Sequence, residues 1–388
     1  MFSGRWPRRL LFSLCAIAAL AFAARLYPPL RHPVDSALLL QSIFSGGRGS
    51  WLERWTHPPV HLSATPGGVS MDVYAAQPGS ARGCVLLAHG MTDMGRRDPR
   101  LIAFARSVAR LGFAVAVPDL PGMRRFRPDP EDTARLSKSF LWLAGKFARP
   151  GMACGFFAFS FAAGPAMKAA ARPEVAARAG YFIALGAYFD LKTVLRHLTT
   201  GGRGAEPAFP GGPPVRVGKW LFLRYNVALL GLQTYEAEIE GIIRLKLADE
   251  GADISAISAR LPGRLKTLLA LIENRSPRRF EGLFGAQPRA MRALLEEWSM
   301  RGIVPKTGMP LFLLHGRSDP FVPAEESERL AALARRRPRG GGSVHLLIAG
   351  SLSHVDPGRG GGGAWRRLID AVRLAGFVSR ILTAIEGG

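Results

Sequence analysis

The sequence predicts an α/β protein built on a doubly wound, mostly parallel sheet. Short, fully apolar runs such as Cys84 to Ala88 alternate with segments of helical spacing, as expected for buried strands joined by helices. Several of these runs end in turns that carry serine, aspartate or histidine. The chain has 388 residues, of which 48% are hydrophobic, and this suits one large domain with an insertion.

Residues 1–27 are predicted to be a signal anchor or a signal peptide. Arg5, Arg8 and Arg9 precede an apolar run from Leu10 to Ala24. A basic segment before about 15 apolar residues is typical of a signal peptide, whereas a membrane span needs about 17 or more. The run reaches that length if Arg25 snorkels to the interface, so we favour a membrane-anchored protein. Cleavage followed by export, to the periplasm or the medium, is the alternative.

The first part of the α/β core is predicted over residues 60–187, after a partly helical connector over residues 28–59. Alternating polarity on both sides of Pro66-Gly67-Gly68 predicts a hairpin at the start of the core. Further strands are predicted at residues 84–88, 113–117, 152–159 and 181–185, and helices at residues 101–111 and 130–147.

The alternation stops after residue 187 and returns at residue 310. The segment between contains a Gly/Pro-rich loop and then helical patterns, so we predict an all-helical insertion over residues 188–309. We expect it to cover the site as a lid that selects substrates. A group of its apolar residues either lines an acyl-sized pocket or forms the core of the lid, and we favour the core. These residues are Trp220, Leu221, Phe222, Leu229 and Leu230.

Ser160 is the first candidate site residue. The apolar run at 152–159 ends at this serine, and Ala158 and Ala162 lie two positions before and after it. A nucleophile elbow holds its serine in a strained strand-to-helix turn, which requires small neighbours at these positions. Glycine is usual at both, and alanine keeps the steric logic while weakening the motif. Taken alone, a serine in such a place is more often a helix cap.

The second part of the core, residues 310–388, adds an acid and a histidine. Asp319 follows a predicted strand at 311–314, and His354 follows one at 344–348. Reactive groups of open α/β sheets gather at the carboxyl ends of the strands. Ser160, Asp319 and His354 are therefore expected to meet as a catalytic triad.

The chain resembles an α/β-hydrolase of the esterase and lipase type. The matching pieces, which extend from about Val60 to the C-terminus, are VLLAHGMTD, AVAVPDLPG, FAFSFAAG, LFLLHGRSDPFVP and SLSHVDP. The resemblance implies cleavage of carboxylic esters through an acyl-enzyme on the serine, with the histidine as base and acid and the aspartate orienting it. It also implies an oxyanion hole formed by the backbone N–H groups of Met91 and Phe161. No cofactor and no metal is implied.

Other residues are weaker candidates. Asp190 follows the strand at 181–185, where some members of the family place the acid, and is the main rival of Asp319. Asp356 is close in sequence to the predicted base and could not easily orient its ring. His89 and His315 each precede a glycine at a strand end, and we expect them to shape loops.

Two other functions remain open. Acyl transfer or thioester cleavage would use the same triad. A catalytically silent hydrolase fold could act as a membrane-proximal binding module, and the alanines that flank the serine favour this alternative. Haloalkane and epoxide chemistry is disfavoured, because those relatives place an aspartate at the elbow position.

The formal charge of +23 comes mostly from arginine and permits binding to nucleic acid or acidic lipid. The basic residues are scattered without an interleaved aromatic motif, so we favour a compositional bias and expect no nucleic-acid partner. The expected partners are a small-molecule or lipid-like ester and, through the N-terminal helix, a membrane. Cys15, Cys84 and Cys154 show no metal-ligand spacing and no disulfide framework, so the last two are expected to be buried thiols.

Overall fold

The computed structural model describes residues 27–47, 49–75, 81–126, 129–200, 217–227, 233–338, 341–353, 356–357 and 364–387. Its strands are β1 (Val60–Ala64), β2 (Met71–Ala75), β3 (Cys84–Ala88), β4 (Ala114–Pro118), β5 (Cys154–Phe159), β6 (Ala179–Leu185), β7 (Leu311–Gly316), β8 (Val344–Ala349), β9 (Leu352–Ser353) and β10 (Asp356–Pro357). The first eight form one sheet in the order β1-β2-β4-β3-β5-β6-β7-β8. β2 is antiparallel to β1 and β4, whereas every later pairing is parallel, which confirms the predicted type of sheet.

Helices flank the sheet and fill the segment between β6 and β7. They are α1 (Pro28–Phe44), α2 (Trp51–Trp55), α3 (Pro99–Arg110), α4 (Pro121–Arg124), α5 (Pro130–Phe147), α6 (Ala163–Ala170), α7 (Pro173–Ala176), α8 (Leu191–Thr200), α9 (Val217–Asn226), α10 (Glu236–Ala248), α11 (Ser255–Ser258), α12 (Gly263–Ile272), α13 (Pro277–Gly285), α14 (Arg289–Trp298), α15 (Ala324–Ala334) and α16 (Ala364–Glu386). Pro262 precedes the first residue of α12 and separates this helix from α11.

Two core helices begin where the sequence supplies both a cap and a proline. Asp98 accepts a hydrogen bond from the backbone N–H of Arg100, and Pro99 takes the first helical position of α3. Asp129 and Pro130 do the same for α5. The side-chain oxygen satisfies an N–H that the helix leaves unpaired, and proline has no N–H to lose. These starts place both helices directly after loops at the carboxyl edge of the sheet.

The central strands β3 to β7 are buried on both faces, to which successive side chains point in turn, whereas β1 at the edge of the sheet is exposed. Leu86 and Phe156 belong to the core on the side of α5, α6 and the insertion. Leu87 and Ile183 belong to a second core, on the side of α1, α3 and α16. Fully apolar strands are therefore required by position, which is why the sequence shows runs without alternation.

Helix α1 lies in the connector and is fixed to the C-terminal helix by charge. Glu386 at the end of α16 pairs with Arg31, Arg82 and, at 3.0 Å, with His32. Arg82 also reaches the carboxylate of Asp35 at 2.7 Å. Burial would raise the pKa of Glu386, but the hydrogen bonds from His32 and Arg82 and the nearby guanidinium charges outweigh it and lower the pKa. The connector is thus part of the folded domain.

The expectation of two separate buried thiols is wrong. Cys84 and Cys154 face each other across the parallel pair β3–β5, with their Cα atoms 4.4 Å apart, and form a disulfide. The two residues are 70 positions apart, so the sequence pattern does not reveal their register. Pairing places the first residues of both strands side by side, within reach of a disulfide.

Among the described helices, we find none that combines the length and the hydrophobicity needed to cross a membrane. Of the anchor predicted over residues 1–27, residues 1–26 lie outside the described residues.

Candidate functional site

Ser160 occupies a strained turn at the carboxyl end of β5. Its φ is +53°, and in the described part of the chain only Phe126 is another non-glycine residue with a positive φ. A single turn of 3-10 helix over Ser160–Ala162 follows and leads into α6. A left-handed conformation costs an L-residue about 1–2 kcal/mol, so the surrounding structure must impose it. The side chain is half-buried and lines a cavity.

The packing around this turn accommodates an alanine at each of the two flanking positions. Ala158 and Ala162 are fully buried, and their methyl groups are accommodated in the core. The tight positions lie elsewhere. A Cβ on Gly90 would be 3.2 Å from the carbonyl oxygen of Phe159, and a Cβ on Gly164 would overlap the hydroxyl of Tyr188. At these two positions, the space around the turn therefore favours glycine.

The loop after β3 passes directly beside the serine. A Cβ on Gly90 would lie only 3.5 Å from Cβ of Ser160, and Met91 is the next residue. His89 holds this loop: its Nδ1 donates to the carbonyl of Gly90 at 3.0 Å, and its Nε2 accepts from the N–H of Leu120 at 3.3 Å. Burial lowers the pKa of His89, so the ring is neutral near pH 7. The structure therefore places His89 as a loop-shaping residue.

Phe161 connects the turn to the insertion. Its ring stacks on Tyr188 with centroids 5.4 Å apart and on Trp298, the last residue of α14, at 6.1 Å. The Tyr188 hydroxyl donates to the carbonyl of Trp298 at 3.0 Å. Burial raises the pKa of Tyr188, so it remains a neutral donor. Sequence reasoning missed this contact, because nothing in the pattern links residues more than a hundred positions apart.

Asp319 lies in a rigid turn after β7, with its side chain buried. One carboxylate oxygen accepts from the N–H groups of Phe321 and Val322 at 2.9 and 3.0 Å. The other is 3.4 Å from Nε2 of His315, which also donates to the carbonyl of Val322 at 2.9 Å. Nδ1 of the same ring is 2.6 Å from the hydroxyl of Ser327. The carboxylate is thus fixed in orientation by backbone donors, and His315 supports the turn.

His354 lies outside the described residues. The segments on either side of it are described: β9 and β10 pair antiparallel, with Ser353 opposite Asp356. The N–H of Ser351 donates to the carboxylate of Asp370 in α16 at 2.8 Å. Leu352, two residues before the predicted base, lines the cavity that also contains Ser160.

The carboxylate of Asp190, the rival acid, is engaged elsewhere. It accepts from the N–H of Lys192 at 2.9 Å, as the cap of α8, and lies 3.3 Å from Nε of Arg301. Its loop is held by Glu326, a buried residue that accepts from the N–H of Asp190 at 2.9 Å and from the hydroxyl of Thr193 at 2.7 Å. Sequence reasoning missed Glu326, because a glutamate in the first turn of a helix is ordinary.

One further histidine lies near the acid. His197 in α8 is hydrogen-bonded to the backbone at Pro320 and is close to Asp319, while burial lowers its pKa. Its Nε2 is buried without a hydrogen-bond partner among the described residues. Within the same ranges, no group of three or more histidine, cysteine, aspartate or glutamate side chains is arranged to hold a metal ion.

No protein-family model matches the chain, and no curated protein matches it. Similar solved structures include an acylaminoacyl peptidase from Pyrococcus horikoshii, which is 12% identical with a TM-score of 0.49. The match covers 86% of this chain and 43% of the peptidase, so this chain spans less than half the length of the peptidase. A 2,6-dihydroxy-pseudo-oxynicotine hydrolase is 16% identical over 85% of this chain and 70% of its own, with a TM-score of 0.46. An esterase from Pyrococcus furiosus is 15% identical over 83% and 91%, with a TM-score of 0.42. At such values the fold assignment depends on the sheet order and the Ser160 turn of this chain.

Proposed function

We propose that this chain, which has the α/β-hydrolase fold, is a serine hydrolase that cleaves carboxylic esters. The strained Ser160 at the carboxyl end of β5, with the Gly90–Met91 loop beside it, is the observation that supports the proposal best. A conformation that costs about 1–2 kcal/mol is retained where it serves a purpose, and exposing a nucleophile above the sheet is such a purpose.

In the proposed reaction, His354 takes the proton of Ser160 while Oγ bonds to the ester carbonyl carbon. The tetrahedral intermediate then loses the alcohol, which leaves with the proton returned by the histidine. Water repeats the sequence on the acyl-enzyme and releases the acid. Asp319 would hold the imidazole in the tautomer that leaves the other nitrogen facing the serine.

The developing oxyanion would be bound by the N–H groups of Met91 and Phe161. Two features support this pair. The loop that contains Met91 is held beside Ser160 by His89, and Phe161 is fixed by its stack on Tyr188 and Trp298. Donors that are already in place cost no reorganisation during the reaction, which is why the loss of one typically lowers turnover about 10²–10³-fold.

The helices between β6 and β7 are proposed to act as a lid. Leu191 and Leu195 of α8 and Leu295 of α14 line the cavity that contains Ser160, which supports this role. Trp220 is buried within the core on that side of the sheet, in keeping with the preferred expectation that it packs inside the lid. The side chains of Leu221, Phe222, Leu229 and Leu230 lie outside the described residues.

Acyl transfer and thioester cleavage remain alternatives with the same residues. A silent fold is less favoured, because the positive φ of Ser160 is a cost that a binding module would have no reason to keep. The alanines at the elbow do not favour a protein without catalytic activity either, since their methyl groups fit the core. We also propose that the N-terminal apolar run anchors the domain to a membrane, which alkaline extraction of membranes with and without residues 1–26 would test.

The experiment that tests the proposed function compares hydrolysis of a short-chain p-nitrophenyl ester by the full-length protein and its variants. Ser160→Ala, His354→Ala and Asp319→Asn should each lower kcat by at least about 10³-fold, since triad members act as a unit. Ser63→Ala, an exposed serine in β1, is the matched control and should keep wild-type turnover. Unchanged turnover in a folded Ser160→Ala variant would refute the assignment.

A further inference from the structure

The cavity that contains Ser160 does not end under the insertion. It has a volume of about 1340 Å³ and continues along the opposite face of the sheet, between the strands and helices α1, α3 and α16. This exceeds the roughly 300–1,000 Å³ of an ordinary small-molecule site. Protein interiors contain few voids larger than a water molecule, so a space of this size between a sheet and its covering helices is unusual. Its lining on this side includes Leu39, Phe104, Phe157, Phe159, Phe377 and Ile381.

Strand β5, which ends at Ser160, forms the part of the cavity wall nearest to the serine. Phe157 and Phe159 point to the α3 side of the sheet and are only half-buried, although they lie beneath covering helices. Their rings are 4.6 Å apart, and the ring of Phe104 on α3 lies 5.2 Å from Phe157 and 5.6 Å from Phe159. This aromatic wall starts one residue before Ser160 and leads away from it.

The far end of the cavity lies at the amino ends of the strands, opposite the end where Ser160 is located. Ile385 lines it, and the carbonyl of Ile385 accepts from the N–H of Ala153, the residue before β5. From Ala153 to Ser160 the chain rises by seven residues at about 3.3 Å each, which gives about 23 Å. The acyl chain of a membrane lipid spans one leaflet, about half of a hydrocarbon core of about 30 Å. The cavity is therefore long enough for such a chain in extended form.

Helix α1 closes the cavity from outside the α/β core. Besides its charged contacts with α16, it is held to α3 by a hydrogen bond of 2.9 Å between the hydroxyls of Ser42 and Ser107. The helix contributes Leu39, Leu40 and Ile43 to the lining. A wall that is fixed at both sides and apolar on its inner face recognises a hydrocarbon chain, because burying CH₂ groups is favourable and needs no polar partner.

We propose that this compartment behind the sheet takes the acyl chain of the substrate, so that the preferred substrates are esters of long-chain fatty acids. The inference rests on the proposed function of Ser160. The carbonyl carbon would lie at the serine, and the chain would extend past Phe159 and Phe157 towards Ile385. The alcohol portion would then leave on the side of the insertion.

The test uses full-length protein in detergent and a series of p-nitrophenyl esters with acyl chains from acetyl to palmitoyl. Val378→Phe and Ile381→Phe each add bulk to the lining from α16. Each should lower the ratio of kcat/KM for the palmitoyl ester to that for the butyryl ester at least tenfold. Val372→Phe makes the same change on the same helix, at a residue that is 66% exposed and outside the lining, and should keep the wild-type ratio. Circular dichroism checks folding, and if one lining variant fails to fold, the other decides.

A second readout does not depend on catalysis. Binding of cis-parinaric acid, a fluorescent long-chain fatty acid, to Ser160→Ala protein should weaken at least tenfold when Val378→Phe is added and stay unchanged with Val372→Phe. Wild-type preference for short chains, or lining variants that keep both the wild-type ratio and the wild-type affinity, would overturn the inference. Parinaric acid binding that Val378→Phe weakens, in a protein without ester turnover, would support the cavity and overturn the proposed hydrolase. Absence of both turnover and binding would overturn both.

Discussion

Replacing Ser160 by glycine and, separately, by alanine measures the strain in the turn after β5. Both variants lack the hydroxyl, so the difference between them contains no contribution from its contacts. At a φ of +53° glycine is unstrained, whereas alanine keeps the cost of a left-handed conformation. The pair therefore isolates the backbone conformation on which the proposed role of this residue depends.

The magnitude follows from two opposing effects. Relief of the left-handed conformation favours glycine by about 1–2 kcal/mol. The greater freedom of glycine in the unfolded chain opposes this by about 0.5–1 kcal/mol. The Ser160→Gly variant should thus have a free energy of unfolding about 0–1.5 kcal/mol above that of Ser160→Ala.

Urea denaturation of both variants, followed by circular dichroism, provides the measurement. Ser63 in β1 is the control position, because its φ is not in the left-handed region. There the order should reverse, with glycine about 0.5–1 kcal/mol less stable than alanine. A difference in stability between the glycine and alanine variants that is the same at position 160 as at position 63 would refute the claim that the serine is held under strain.

Three other outcomes follow from the packing and the electrostatics. Gly164→Ala should destabilise the protein by more than 1 kcal/mol, because the methyl group would overlap the neighbouring tyrosine hydroxyl. Gly145→Ala is the control: its methyl group would have nothing within 4 Å, so it should stabilise the protein by up to about 1 kcal/mol, and thermal melts of both variants provide the measurement. Replacing Cys84 and Cys154 together by alanine should cost about 4 kcal/mol from the loop of 70 residues, and non-reducing mass spectrometry should find the bond. Burial raises the pKa of Asp132 to about 6, above an unfolded value of 3.8, so its stabilising effect is complete below pH 4 and lost as pH rises past 6. Over this range the unfolding free energy should fall by about 3 kcal/mol in the wild type and not in Asp132→Asn, which urea titrations at several pH values would show; a variant with the wild-type slope would contradict the assignment.

The sheet was predictable because its signal is local. A strand buried on both faces has no polar positions, so β3 stands out in the sequence over its observed length, Cys84–Ala88. The boundaries of β4 and β6 differ from the predictions by one or two residues, as expected where strands merge into apolar loops. Helix α5 begins at Pro130 and ends at Phe147, as its cap and proline indicate.

The cavity wall was not predictable, because it depends on long-range packing. The connector that forms α1 contains Pro28, Pro29 and Pro33, which weaken its helical pattern in the sequence. The first turn of a helix makes no intrahelical N–H bonds and therefore tolerates proline, and tertiary contacts stabilise the remaining turns of α1. The gap between α1, α3 and β5 is set by helix positions that periodicity does not encode. For the same reason the disulfide was missed, since only the strand register brings Cys84 to Cys154.

The candidate site divides in the same way. The turn at Ser160 could be predicted, because small residues between a strand and a helix form a local pattern. The residues that support it, Gly164 and Tyr188, could not, because each acts through a partner distant in sequence. Asp319 was separable from its rival Asp190 only once the helix cap and the Arg301 pair of the rival were known.

Labelling of the full-length protein with a fluorophosphonate tests the central claim most directly. An activated serine bonds to phosphorus and releases fluoride, so peptide mass spectrometry should find the adduct on Ser160 and nowhere else. The adduct should be absent from Ser160→Ala and His354→Ala proteins and present in the Ser63→Ala control. A folded wild-type protein that takes no label, or one labelled equally well without His354, would contradict the proposed mechanism.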